Sequence, residues 1–192
     1  MLPARFSSSK GFSLAEVLVS MGILTAVSLG VAQLFAMSAK ANFSAKGDTS
    51  ATTLAEQKME QLRGLTWGFD DQAQGLPVSD TTTNLAIDPA GPTGQGLNPS
   101  PALSLEQNTP GYVDFLDAGG AYVGTGTAPP AGTAYVRRWA IRPLPTNPNN
   151  TLVLQVLVTP LGNDANRGAA AGDFKRLPGD ALLVSVKTRK AK

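Results

Sequence analysis

The run from Val17 to Ala39 holds 23 consecutive uncharged residues, and it constrains the chain more than any other feature. A helix crossing a hydrocarbon layer needs about 20 such residues. A lone apolar segment in lipid must be helical, because the bilayer offers no water to its backbone groups. Between Lys10 and Lys40 the sole charge is Glu16. Arg5 and Lys10 precede the run and favour a cytoplasmic N-terminus, a bias that Lys40 and Lys46 weaken without reversing. An export signal has a shorter apolar core with its small-residue cleavage site after it. Here the glycine, Gly11, stands before the apolar run.

The heptapeptide Lys10-Gly11-Phe12-Ser13-Leu14-Ala15-Glu16 resembles the processing site of type IV prepilins and pseudopilins. The resemblance implies a leader of residues 1–11, removed after Gly11 by a prepilin peptidase/N-methyltransferase. Phe12 is then the mature, N-methylated terminus. It further implies a single-pass inner-membrane protein with a periplasmic head, which later joins other pilin or pseudopilin subunits in a pilus or pseudopilus. Glu16 falls where that family keeps its buried carboxylate. An ionisable group in such a span costs at least ~2.5 kcal/mol and marks a functional candidate. In a filament its natural partner is the amine of Phe12 on a neighbouring subunit, a charge-assisted pair in low dielectric. The alternative is a carboxylate that reaches water at the headgroups. Ser20, Gly22, Ser28 and Gly30 allow close helix approach, and Gly22 and Gly30 are also places for the helix to loosen. Many major pilins carry a proline midway along this stem. None occurs here from Phe12 through Leu76, which favours a minor subunit.

Beyond a membrane segment of 12–39, residues 40–64 read as an amphipathic helix. Ala51, Leu54, Ala55, Met59 and Leu62 recur at three- and four-residue spacing, and Gly64 suits a C-cap. Glu56 with Glu60, and Lys58 with Gln61, read as its solvated side. Phe12 to Arg63 is therefore expected as one helix, about 78 Å long at ~1.5 Å per residue. The stretch Leu54 to Arg63 is similar to the end of that helix in PilV-type minor pilins and I-type minor pseudopilins of type II secretion. Its residues are good helix formers in any setting.

Residues 65–133 are rich in Gly, Pro, Thr, Asp and Asn and read as an irregular region with short strands at Gly111–Leu116 and Ala121–Val123. Asp88 to Gly96 is the part expected to be disordered, and residues 85–98 read as dispensable. Three stronger strands follow within 134–192: Ala134–Arg142, Thr151–Thr159 and Ala181–Lys190. Pro143 to Asn150 turns the first two into a hairpin. Leu152, Leu154, Val156 and Val158, with Leu182, Val184 and Val186, are expected on the face covering the helix. Gln155, Thr159, Ser185, Lys187 and Arg189 are expected towards water. The fold class is α+β, a long N-terminal helix on a C-terminal antiparallel sheet, which is what the resemblance to pilins also implies.

Composition narrows the chemistry. With no cysteine and no histidine, thiolate nucleophiles, disulfides and His-based triads are excluded. Any catalysis would rest on carboxylates, Lys or Tyr. A net charge of +2 without a basic stripe gives no sign of a nucleic-acid partner, and Lys187, Arg189, Lys190 and Lys192 read as a solvated end. Asp114 with Asp117, or Asn163, Asp164 and Asn166, offer oxygens to calcium, but neither set has a known loop spacing, and such residues usually build turns. Asp70 and Asp71 diverge in extended chain and make no catalytic pair. The pairs Gly119 with Gly120 and Gly124 with Gly126 lack the strand-to-helix context and the lysine of a phosphate loop. No cofactor or metal is expected. The leading expectation is a non-enzymatic minor pilin or pseudopilin. Its rival is a signal-anchored binding or adhesion module that never assembles.

Overall fold

The computed structural model describes residues 11–70, 72, 74–166 and 176–189. The leader residues before Gly11, Asp71, Lys190 and Lys192 lie outside the described residues. Two compact units emerge, one up to Phe43 and one from Ser44 onwards.

Helix α1, Leu14–Gly64, supplies the first unit and enters the second. It starts two residues later than Phe12 because Ser13 acts as its N-cap. The Ser13 carbonyl accepts from the amides of Glu16 at 3.0 Å and Val17 at 3.2 Å, and serine is a favoured residue there. Within the apolar run the hydroxyls of Ser20 and Thr25 donate to the carbonyls of Glu16 at 2.7 Å and Met21 at 2.8 Å. The helix itself thus satisfies these two hydroxyls, which lipid would leave unpaired.

In the second unit, α1 buries Ala51, Leu54, Ala55, Met59 and Leu62 as the spacing requires, and Lys58 with them. Lys58 is therefore not part of a solvated side. It stands seven residues after Ala51 and four before Leu62, in the middle of the apolar stripe. Glu56 and Glu60 are exposed as expected.

The stripe packs on a five-stranded antiparallel sheet made of β3 (Val113–Leu116), β4 (Tyr122–Gly124), β5 (Tyr135–Pro143), β6 (Thr151–Pro160) and β7 (Ala181–Thr188), in the order β4-β3-β5-β6-β7. A two-stranded hairpin, β1 (Trp67–Phe69) with β2 (Pro77–Ser79), follows the helix and was not evident in the sequence. A short helix, α2 (Leu161–Asn166), leads out of β6. The core holds Leu54, Met59 and Leu62 of the helix against Trp139, Ile141, Leu152, Leu154, Val156 and Val158.

The face expected for β7 is corrected. Its register sets Leu152 opposite Lys187, Leu154 opposite Ser185, Val156 opposite Leu183 and Val158 opposite Ala181. Directly opposed residues share a face, so Ala181, Leu183, Ser185 and Lys187 belong to the helix side. Val184 and Val186 lie on the other side, where they are exposed. Lys187 donates to the Arg63 carbonyl in the last turn of α1. That second face is not simply solvated. Leu105 packs there with Ala140, Leu157 and Leu182, Leu161 packs on Val113, Phe115 and Val136, and Thr159 is buried.

The expectation of disorder from Asp88 to Gly96 is also corrected. Leu85, Ala86 and Leu97 belong to the core, so residues 85–98 do have something to bury. The chain is tied by Asn84 N to Gly91 O at 2.6 Å, Gly94 N to Thr82 O at 2.7 Å and Leu97 N to Asp80 O at 2.7 Å. Burial acts to raise the Asp80 carboxyl, but donation from the Thr83 hydroxyl and the Thr83 and Thr82 amides outweighs it and holds the group below its ordinary range. A Cβ on Gly94 would stand 2.0 Å from the Asn84 Cα, and one on Gly96 2.5 Å from the Asp80 carbonyl. The glycines that suggested disorder are what permits this close approach.

Candidate functional site

The N-terminal site is built by local rules. Gly11, Phe12 and Ser13 precede the first helical turn and are exposed, with Phe12 at 83%. The bond after Gly11, the expected point of cleavage, lies outside the helix, where its backbone is accessible. Glu16 lies in the first turn of α1, where the helix dipole favours a negative charge. Its carboxylate has no ion-pair partner among the described residues. Below it, Leu18, Val19, Met21, Ile23, Leu24, Leu29 and Leu34 are all more than 60% exposed. Consecutive members point in different directions round the helix, so the apolar surface has no polar side. A helix apolar on every face belongs in a membrane or a protein core.

The head contains a charged cluster that the sequence reading missed. Asp114 on β3 accepts from Arg137 on β5, Nε to Oδ1 at 2.8 Å and Nη2 to Oδ2 at 2.9 Å. Lys58 Nζ reaches Oδ2 at 2.8 Å, donates to the Leu85 carbonyl at 2.6 Å and lies 4.5 Å from the Trp139 ring centroid. Arg137 Nη1 also donates to the Leu54 carbonyl at 3.1 Å. All three side chains are at most 5% exposed. Burial pushes the Lys58 amine down to about 8, with Asp114 pulling it the other way. The cluster joins the helix, β3, β5 and the 85–97 segment. Its geometry is that of a structural clamp. The one available signal was a lysine within an apolar helical stripe.

Four of the residues weighed as oxygen donors to calcium have partners within the head. Asp114 is engaged by two cations. Asp164 pairs with Arg138 at 2.7 and 2.9 Å, Asp117 Oδ1 accepts the amides of Gly119 and Ala121 in a turn, and the Asn163 carboxamide donates to the Pro178 carbonyl at 2.7 Å.

Residues 6–32 match the family model described as the prokaryotic N-terminal methylation motif. Comparison with curated proteins and with solved structures returns no match. The motif indicates a prepilin-type processed, pilin-like protein, of a class that is structural rather than enzymatic. It implies processing by prepilin peptidase and assembly with other pilin subunits, and the apolar N-terminal helix fits a membrane-anchored pilin.

Proposed function

We propose that this chain is a minor subunit, a minor pilin or pseudopilin, of a type IV pilus or type II secretion filament. The observation that carries the reading is the methylation motif running directly into a helix whose apolar side chains are exposed on every face and whose sole early charge is Glu16. In this reading prepilin peptidase cuts after Gly11, Phe12 is N-methylated, and residues 12–39 hold the precursor in the inner membrane with the head in the periplasm. Assembly then moves the helix from lipid to a filament core, where Glu16 pairs with the amine of Phe12 on a neighbour. The absence of proline from Phe12 through Leu76 supports the minor role.

The test is mass spectrometry of the chain from membranes of a host with and without prepilin peptidase. A methyl-Phe12 terminus is expected only where the peptidase is present, and Gly11→Val should leave the precursor uncut, because a Cβ bars close approach of the backbone to the peptidase. A mature protein that still begins at Met1 overturns the reading and favours a simple signal anchor.

A further inference from the structure

We propose that the groove between the β1–β2 hairpin and the β5–β6 loop is a binding site for an acidic saccharide. It is a cavity of about 390 Å³, a size that suits a small ligand, walled by the rings of Trp67 and Phe69 and by Pro77, Pro99, Pro143 and Pro148. Proline walls have no side-chain rotamers to lose, so the shape is fixed before anything binds. Arg189 stacks its guanidinium on Trp67, 3.7 Å from the ring centroid. Its Nε donates to the Asn149 carbonyl at 2.7 Å. Its Nη1 donates to the Gly68 carbonyl at 2.9 Å, the Val78 carbonyl at 3.3 Å and the Ser79 hydroxyl at 3.2 Å. Its Nη2 has no acceptor among the described residues, so a fixed, half-buried cation keeps two N–H groups for an anionic oxygen. The exposed Asn149 carboxamide likewise has no partner among the described residues.

The same bonds separate a sugar from a peptide. The carbonyls of Gly68, Val78 and Asn149 already accept from Arg189, that of Asn150 accepts from the Trp67 indole at 3.3 Å, and those of Asn98 and Pro99 accept from the Tyr112 hydroxyl at 3.1 and 3.2 Å. A peptide backbone laid in the groove would find these acceptors engaged. The Phe69 ring and the proline faces suit the C–H faces of a sugar, a carboxamide suits its hydroxyls, and Nη2 suits its carboxylate. The groove lies within the head, and the inference does not depend on filament assembly.

The experiment titrates the full chain in detergent micelles with trigalacturonate, with neutral galactotriose and with an acidic proline-rich peptide, reading tryptophan emission. Trp67 is half-buried in the groove wall, whereas Trp139 is buried in the core. Trigalacturonate should give a saturable change, with affinity about tenfold above that for galactotriose, the margin of one charge-assisted hydrogen bond. Arg189→Gln should erase the preference for the acid, and Asn149→Ala should weaken both sugars. If Arg189→Gln loosens the hairpin, Asn149→Ala decides, since that side chain holds nothing in the fold. No saturable change with trigalacturonate, equal affinity for the neutral sugar, unchanged binding by Asn149→Ala, or tighter binding of the peptide overturns the proposal.

Discussion

Lys58, Arg137 and Asp114 put two cations on one buried carboxylate, so the members of this cluster are not equivalent. Removing Lys58 leaves Asp114 held by Arg137 through two bonds of 2.8 and 2.9 Å. Removing the charge of Asp114 leaves two buried cations side by side. Asp114→Asn should therefore destabilise the head by about 3–5 kcal/mol, the cost of breaking a buried pair on one side, while Lys58→Met should stay within about 1 kcal/mol of wild type or gain stability. Urea denaturation of both variants checks the difference, and equal losses would refute the account. The pH dependence has a definite sign. Below about pH 8 the Lys58 amine is protonated both folded and unfolded. Between about 8 and 10.5 the unfolded chain still holds the proton that the folded chain has released, so folding stability rises with pH across that window. Burial raises the hydroxyls of Tyr112 and Tyr122, which acts in the opposite sense near pH 10 and is common to wild type and Lys58→Met. Measured from pH 7.5 to 9.5, wild type should therefore gain stability relative to Lys58→Met as pH rises. Lys58 shows what a sequence reveals at this scale. Its place at the centre of the apolar stripe is readable, but that β3 and β5 bring Asp114 and Arg137 to meet it depends on long-range pairing.

At the scale of elements, the long helix was readable from an unbroken apolar run that leads into three- and four-residue spacing, and β5 and β6 from their runs of aromatic and β-branched residues. β7 was readable as a strand but not by face. Adjacent Leu182 and Leu183 permit two alternation frames, and a one-residue change of register exchanges every side chain between faces. The pairing with β6 that chooses the frame is not a local property. The segment from Asp80 to Leu97 failed for a related reason. Gly, Pro and Asn declare turns, but the burial of single residues such as Leu85 and Leu97 is decided by what packs over them. A variant lacking residues 85–98 should consequently lose Leu85, Ala86 and Leu97 from the core and the carbonyl that accepts from Lys58. Each buried leucine contributes about 1.5–3 kcal/mol, and domain stability is only about 5–15 kcal/mol. Loss of the cooperative thermal transition, followed by circular dichroism and limited proteolysis, is the expected result. A cooperative transition near that of the parent chain would return the segment to the status of a dispensable loop.

In the proposed function the whole molecule satisfies two environments in turn, and Glu16 is where their demands would conflict. The apolar side chains up to Phe35 and Met37 are exposed and need lipid or other helices around them, whereas from Ser44 onwards the chain buries its own core. The motif and the apolar run were fully readable because membrane insertion depends on local composition. The partner of Glu16 was not, because it would belong to another subunit. In lipid, Glu16 is a burden, so Glu16→Ala should insert and be processed as well as wild type or better. In a filament core, the same change should leave the amine of a neighbour's Phe12 buried without its counter-charge, at a cost of about 3–5 kcal/mol, or about a hundredfold or more in association. A carboxylate that only reaches water at the headgroups predicts no such loss. The measurement is recovery of tagged Glu16→Ala with sheared filaments, set against the amounts of precursor and mature chain in membranes, with Glu16→Asp as the charge-preserving control. Normal membrane levels with recovery reduced to a few per cent, and partial rescue by aspartate, are expected. Wild-type recovery of the alanine variant would show that the charge serves the membrane surface and not the contact between subunits.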